Sequence, residues 1–589
     1  MKSPITFYKE QAQIHQVKAT ALNKQMRLLS ILRLVVFLVA AYAVYLTFSN
    51  WQVAVAIAVV GISLFLFLLL KYTNIKQKRN LEKAIVAVNE DEIKIKNEGF
   101  FDRLDGLEFQ DPLHEYCLDI DLFGRGSFFQ NINRTYIKEG TEKLSEALKA
   151  NEIDNITTRQ EAIKELSDKA IWRQNYSAIA SLIQVETPAK TINEWLSYYK
   201  PKFKPFLKVL PWIFTLVTLV IFAFVYVNMV SANLLGIWLL LGLVTTGIYL
   251  KSINIIASKT DKLKETFKQY AGLLDKIEEE TFQSELLIEK QKMITQDREK
   301  ASEIFSELSR LLDRLDNRNN LISAIFGNGF FLIDIKNAYA IEQWIKKYAH
   351  KTTDWFDVIS FFDAYNSLGN YTFNNPEFII PEINKNQDVI LAKNLGHPLL
   401  KAEKRVDNDL NIKNEEFFII TGANMAGKST FLRTVSLHIV MANVGLPVCA
   451  ETSTYNPIKL ITSMRTSDSL TDDSSYFFSE LTRLKYIVDA IQTDRYFIVL
   501  DEILKGTNST DKAIGSRKFV EKLVASNATG IIATHDLSLC EISEELSQVK
   551  NHYFDAEIIN DELHFDYTFK DGICQNMNAS FLLKKMEII

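Results

Sequence analysis

The sequence predicts a multidomain chain in which helical transmembrane hairpins and an α-helical body precede a C-terminal α/β domain. Three observations carry this expectation. Two pairs of long, almost uncharged apolar runs lie in the first half of the chain. Between and after them come charged stretches with apolar residues at helical spacing and very little glycine. From residue 381 onward, short β-rich runs alternate with helical ones, the pattern of a parallel sheet with crossover helices.

The runs LRLVVFLVAAYAVYLTF (32–48) and WQVAVAIAVVGISLFLFLLL (51–70) are separated only by Ser49 and Asn50. Each approaches the ~20 apolar residues needed to cross the hydrocarbon layer. A second pair covers 209–230 and 234–250, with Ser-Ala-Asn between them, so four spans are expected. Lys24, Arg27, Arg33, Lys71, Lys76, Lys78 and Arg79 flank the first pair, and Lys200, Lys202, Lys204, Lys208 and Lys251 the second. Both tight turns lack lysine and arginine. The positive-inside rule therefore predicts a multi-pass protein, of the bacterial inner-membrane type, with its soluble parts in the cytoplasm. The first run starts well inside the chain and its partner follows at once, which argues against a cleaved signal. Neither pair holds an acidic residue, so both read as anchors rather than as a transport path.

This divides the chain into an N-terminal cytoplasmic lead (1–28), a transmembrane hairpin (29–72), a mainly helical part (73–205), a second hairpin (206–251), a long-helix region (252–380) and the α/β domain (381–589). Charged residues at 24% and hydrophobic ones at 47% fit a folded chain rather than a disordered one. A formal net charge of −5 gives no global attraction to a polyanion, so any nucleic-acid face must be a local patch. The mixed-sign charges over 256–345 read as a solvated helix face. Cys117, Cys449, Cys540 and Cys574 lie far apart without metal-ligand spacing and read as buried free thiols.

The chemistry lies in the last domain. EEFFIITGANMAGKSTFLRT reads as strand, loop and helix, and satisfies G-x-x-x-x-G-K-[ST] through Gly422, Gly427, Lys428 and Ser429. Such a loop closes backbone N–H groups around phosphates at a helix N-terminus. The residues expected to line it are Gly422, Ala423, Asn424, Met425, Ala426, Gly427, Lys428, Ser429 and Thr430. Lys428 would reach the terminal phosphates of ATP, and Ser429 would hold Mg2+. RYFIVLDEILKGT is an apolar strand ending in Asp501, a second Mg2+ ligand, and Glu502, placed to orient the attacking water. TGIIATHDLS is a third such strand, ending before His535, which could sense the terminal phosphate. A lone Asp-Glu pair or histidine is usually structural; three elements in order at strand ends predict an ATPase.

The membrane runs make a transporter-type ATP-binding cassette one alternative. Four spans in two separated hairpins do not resemble a six-span transport domain, and a segment like L-S-G-G-Q before the aspartate strand is absent. TGANMAGKSTFLR instead resembles T-G-P-N-M-G-G-K-S-T-[YF]-L-R of the MutS family of mismatch-repair ATPases, departing at Ala423 and Ala426. NVGLPVCAE, LGHPLL, DEILKGT and ATHD resemble further family segments, with Cys449 where proline is usual. Upstream, LDIDLFGRGSFFQNINRTYIKEGTEKLSEAL from Leu118 resembles an opening of the family's helical core, and WFDVISFFDAYNSLGNYTFNNPEF (355–378) its return from long lever helices. The α/β domain is thus of the ABC/MutS P-loop ATPase type, 73–205 is core-like and 252–380 lever-like.

By that resemblance two ATPase domains pair as a homodimer, with Ser475 reaching the partner's ATP in trans, and DNA is the partner, gripped mainly through its phosphates. Departures qualify it. DSLTDDSSYFFSEL (468–481) keeps Ser475 and Glu480 but has Asp472 and Asp473 where small residues are usual. The family's mismatch reader, with its Phe-x-Glu wedge, has no counterpart; Phe305/Glu307 and Phe478/Glu480 read as structural. The expectation is a membrane-anchored MutS-like ATPase that closes as a dimer on mismatched or branched DNA. The alternative is an ABC-superfamily mechanical ATPase acting on membrane or protein partners without DNA.

Overall fold

The computed structural model describes residues 3–183, 188–260, 263–295, 299–316, 318, 320–385, 388–423, 425–465, 476–559 and 562–575. Helix Pro4–Leu46 begins at Ser3, whose side chain caps Thr6 N–H, with proline in its first turn. Helix Trp51–Glu98 is capped by Asn50 through Val53 N–H. At 1.5 Å per residue these helices are roughly 64 and 72 Å long, about twice the ~30 Å of a hydrocarbon layer. The residues expected as a lead and as the start of the helical part are thus continuous with the apolar runs, and form a stalk. Inside the apolar half, an added Cβ at Gly61 would lie 2.6 Å from the Ala40 Cβ, so small residues let the helices approach closely. The stalk is clasped by His15 and Glu82, 2.5 Å apart.

Among the described residues, three helices are long and apolar enough to cross a membrane: Pro4–Leu46, Trp51–Glu98 and, over its first 26 residues, Asn233–Thr260. The expected third span is the apolar helix Leu210–Tyr226, whose 17 residues reach only about 25 Å.

The long helices expected over 252–380 are instead helices of 11 to 23 residues: Leu263–Glu279, Glu285–Thr295, Ala301–Asp316, Ile333–Tyr348 and Thr352–Asn374. Their apolar stripes face one another, with Phe267, Phe305, Trp344 and Phe356 meeting in edge and tilted contacts, so the segments fold back into a bundle. Phe305 is fully buried in that bundle, consistent with its structural reading.

Helix Thr352–Asn374 forms the axis of the body and is buried along most of its length. Asn370 and Asn374 donate to the buried Glu92 carboxylate at 2.8 and 3.0 Å; Arg134 closes on the same group at 2.5 Å. Tyr8 OH donates to Asn374 at 2.7 Å. Both ends of the stalk are thereby tied to the helix that leads into the α/β domain. Two turns before Asn370, Asp363 accepts from Tyr136 and Ile137 N–H at 3.0 and 3.1 Å, occupying the uncapped N-terminus of helix Lys138–Lys149. Burial pushes this carboxyl up to about 7. The folded protein therefore holds the Asp363 proton more tightly than the unfolded chain, and this group makes stability fall as pH rises from about 4 to about 7. Asp363→Asn is expected to flatten that part of the apparent Tm-against-pH curve; an unchanged slope would exclude Asp363 as its source.

Among the described residues, twelve strands follow: β1 Glu382–Ile383, β2 Asp388–Leu395, β3 Asn408–Lys413, β4 Phe417–Gly422, β5 Thr452–Tyr455, β6 Lys459–Ser463, β7 Tyr496–Asp501, β8 Thr529–Ala533, β9 Val549–Phe554, β10 Ala556–Ile559, β11 Glu562–Phe565 and β12 Lys570–Asp571. The larger sheet runs β12-β9-β4-β8-β7-β6, parallel except for β12, and a smaller one runs β1-β5-β2-β3. β4 is buried at every residue, as befits the middle of a sheet covered on both faces. The helical body covers the far edge: Asn151 exchanges two hydrogen bonds with Leu460 of β6, and Thr462 N–H donates to Glu115 O. Asp119 accepts from the Thr462 hydroxyl and from Arg465 N–H, and Arg433, on the helix after β4, donates to Asp119 O.

Candidate active site at the carboxyl edge of the sheet

Adjacent parallel strands β4, β8 and β7 end side by side, and the crevice beyond such ends is where open α/β sheets bind ligands. The glycine-rich loop leaves β4 at Gly422 and enters helix Lys428–Val444 at Gly427. Both glycines have positive φ, +144° and +106°. A Cβ on Gly422 would sit 2.4 Å from the Phe554 carbonyl oxygen of β9. Gly422→Ala is expected to cost about 1–3 kcal/mol through this overlap and the forced backbone, read as a lowered Tm; an unchanged Tm would refute the tight fit.

Of the loop residues singled out from the sequence, Ala426 is buried, Met425 is 76% exposed at φ +68°, and Thr430 is exposed on the first helical turn. Ala423 is half-buried and offers its carbonyl to Lys428. Asn424 and Ser475 lie outside the described residues, as do Asp472 and Asp473.

Lys428 is buried, and its ammonium donates to Gly422 O at 2.7 Å and Ala423 O at 3.0 Å. Burial lowers its pKa, and the charges of Asp501 and Glu502 oppose that shift. The Ser429 hydroxyl donates to Asp501 Oδ2 at 2.7 Å, which joins the first helical turn to the tip of β7. Glu502, the next residue, has φ +50°, a left-handed conformation costly for a non-glycine residue. Its carboxylate lies 2.8 Å from His535 Nε2, just past β8, and that hydrogen bond holds it down at about 2. His535 Nε2 is also 3.4 Å from Lys428 Nζ. The structure thus brings Lys428, Ser429, Asp501, Glu502 and His535 into one cluster. A serine hydroxyl beside a carboxylate is a hard-oxygen pair, the donor type Mg2+ takes when it binds by few protein ligands. Among the described residues, no group of three or more His, Cys, Asp and Glu side chains forms a self-contained metal site.

Two supports complete the cluster: Glu480, which the sequence offered only as a match within 468–481, and Tyr567, which it did not single out. Buried Glu480 accepts from Leu504 and Lys505 N–H, pinning the loop after β7, where Leu504 is itself at φ +61°. Phe478, two residues earlier, is exposed, so this Phe-x-Glu pair does not act as a unit. Tyr567 lies over the glycine loop, 3.1 Å from where a Gly427 Cβ would be. Both supports come from far along the chain, and only the assembled sheet brings them here. All four cysteines are buried and outside any disulfide, as expected; burial pushes Cys117 and Cys449 up to about 12 and Cys540 up to about 11.

The MutS domain V family matches residues 418–585, which include this cluster. The chain is 32% identical over 224 residues to MutS protein homolog 4 of Homo sapiens, covering 36% of this chain and 23% of that protein. It is 31% identical over 212 residues to DNA mismatch repair protein MutS of Methanococcoides burtonii, covering 34% of this chain and 24% of that protein. The same-named protein of Aquifex pyrophilus is 31% identical over 204 residues, 33% of this chain and 23% of its own length. The chain therefore spans less than a quarter of these relatives in the matched region. Sheet order, glycine loop and the similarity over this segment agree: residues 418–585 match MutS domain V.

Proposed function

We propose that this protein is a membrane-anchored MutS-like ATPase whose nucleotide cycle drives dimer closure on DNA. The observation that carries the reading is the cluster of Lys428, Ser429, Asp501, Glu502 and His535 at three neighbouring strand ends within a MutS domain V. Lys428 and the amides of 422–430 bind the triphosphate, helped by the helix N-terminus. Ser429 and Asp501 hold Mg2+, which supplies positive charge against the phosphate oxygens. Glu502 orients the attacking water, and His535, bonded to Glu502 and close to Lys428, couples that carboxylate to the state of the terminal phosphate. Ser475 acts across a homodimer of ATPase domains. The apolar hairpins anchor the chain in the membrane. DNA enters as partner because the relatives are named for DNA mismatch repair.

A second reading is favoured by the Glu92–Arg134–Asn370–Asn374 network, which links the stalk to the helix entering the ATPase domain. Through it a nucleotide-driven motion would reach the membrane without DNA. One experiment separates the two: ATP turnover of the detergent-solubilised full chain with no DNA, homoduplex, mismatched duplex and branched DNA at low salt, where phosphate contacts are strongest. Stimulation by mismatched or branched DNA is expected. Turnover with no binding or stimulation by any DNA would overturn the DNA role and leave the mechanical reading.

A further inference from the structure

Residues 321–333, LISAIFGNGFFLI, form a 13-residue run without charge between Arg318 and Asp334. A run of this length is too short to span a bilayer and fits a buried helix or a re-entrant segment. Its packing decides between them. Gly329 rests directly on helix Asn233–Thr260: a Cβ on Gly242 would lie 2.2 Å from Gly329 O, and one on Gly329 would lie 2.7 Å from Leu239. The Phe330 carbonyl accepts from the Thr218 hydroxyl at 2.7 Å, midway along Leu210–Tyr226, and Trp238 donates to the same hydroxyl at 2.8 Å. Arg318, before the run, bonds Asn254 of helix Asn233–Thr260 at 2.6 Å. Asn254 and Gly242 are about 18 Å apart along that helix. The run therefore climbs beside the second hairpin, from the level of its charged flank to the middle of its apolar stretch.

The run is helical, a π turn over Ser323–Gly327 and an α turn over Asn328–Phe331, and one face is buried on the hairpin. Where the helix breaks, Thr218 of the hairpin donates to Phe330 O and the Asn328 side chain accepts from Asp334 N–H, so backbone groups freed at membrane depth are satisfied. The other face is apolar and bare: Leu321 is 73%, Ile322 70% and Phe326 52% exposed. The hairpin helices the run packs on also expose apolar residues, among them Leu219, Leu240 and Val244. Lys336 returns to the boundary, its ammonium 4.1 Å over the Trp212 ring at the start of Leu210–Tyr226. We infer that 321–333 is a re-entrant membrane element that enters and leaves on the cytoplasmic side, and that hydrocarbon covers Leu321, Ile322 and Phe326. It thickens the hairpin whose first helix is too short to span alone. This inference rests on the membrane anchoring proposed above.

The test places a nitroxide on Ile322→Cys, Phe326→Cys, Leu38→Cys or Lys138→Cys in the full chain, reconstituted in vesicles of phosphatidylcholine and phosphatidylglycerol. The four native thiols are buried, so labelled wild type sets the background. Power saturation by oxygen against a water-soluble nickel chelate reports lipid or water. Positions 322 and 326 should match Leu38 in the first hairpin and oppose Lys138 in sign. Both are exposed, so either serves if the other variant fails to fold. Nickel access at 322 and 326 with Leu38 still in lipid would overturn the re-entrant element alone. Nickel access at Leu38 as well would overturn the membrane anchoring too. A label shielded from both reagents and immobilised would mean that a partner protein or second copy covers this face, which also overturns the inference.

Discussion

Glu502→Gln is expected to leave ATP binding intact while lowering turnover by roughly 10²–10³-fold, the scale of losing one preorganised electrostatic contact to the reacting groups. The variant keeps the shape and a carbonyl acceptor and removes the charge. Held at about 2 by His535, the carboxylate is ionised at every working pH and is a poor proton acceptor in this geometry. In the proposed cycle this favours orienting water over accepting its proton, which would require the bond to His535 to open. Filter-bound nucleotide and phosphate release, measured on the same preparation, separate binding from chemistry. Wild-type turnover in this variant would remove Glu502 from the site.

The second large effect is at Lys428. Lys428→Ala is expected to abolish nucleotide-dependent behaviour, with kcat/KM down by at least ~10²-fold, the scale of removing one preorganised charged donor to a phosphate. The same substitution should spare the fold. Burial disfavours the lysine's charge in the folded protein, and its bonds go to the loop's own Gly422 and Ala423 carbonyls. A charge that burial disfavours adds little to stability, so the expected loss is in nucleotide handling and not in Tm. Unchanged turnover would refute the site, and a collapsed Tm would show that Lys428 is structural.

Much of the site was legible because its parts are local. A glycine loop between a buried strand and a helix, and an aspartate or histidine just past an apolar strand, each fit in a dozen residues. Glu480 and Tyr567 were not legible in the same way. Their work is to close on backbone more than twenty residues away, and no spacing rule connects Glu480 to Leu504 or Tyr567 to Gly427. The helical part shows the converse. The amphipathic periodicity over 256–345 correctly indicated helices, but periodicity gives the face and not the partner. The same stripes suit a long lever or a folded bundle, and contacts such as Phe267 with Phe305 and Phe356 decide for the bundle.

By itself the sequence determined the succession of apolar hairpins, helices and α/β domain, and the chemical identity of the residues that converge at the strand ends. Those properties reside in runs and motifs shorter than one element. Only the tertiary structure decided that the first hairpin continues as a stalk clamped by Glu92 and Arg134, and that Asp119 joins the helical body to the glycine-loop helix. It also decided that 321–333 rises along the second hairpin. A buried carboxylate or a bare apolar face acquires its meaning from what lies against it, and that is fixed by packing between distant segments rather than by local pattern.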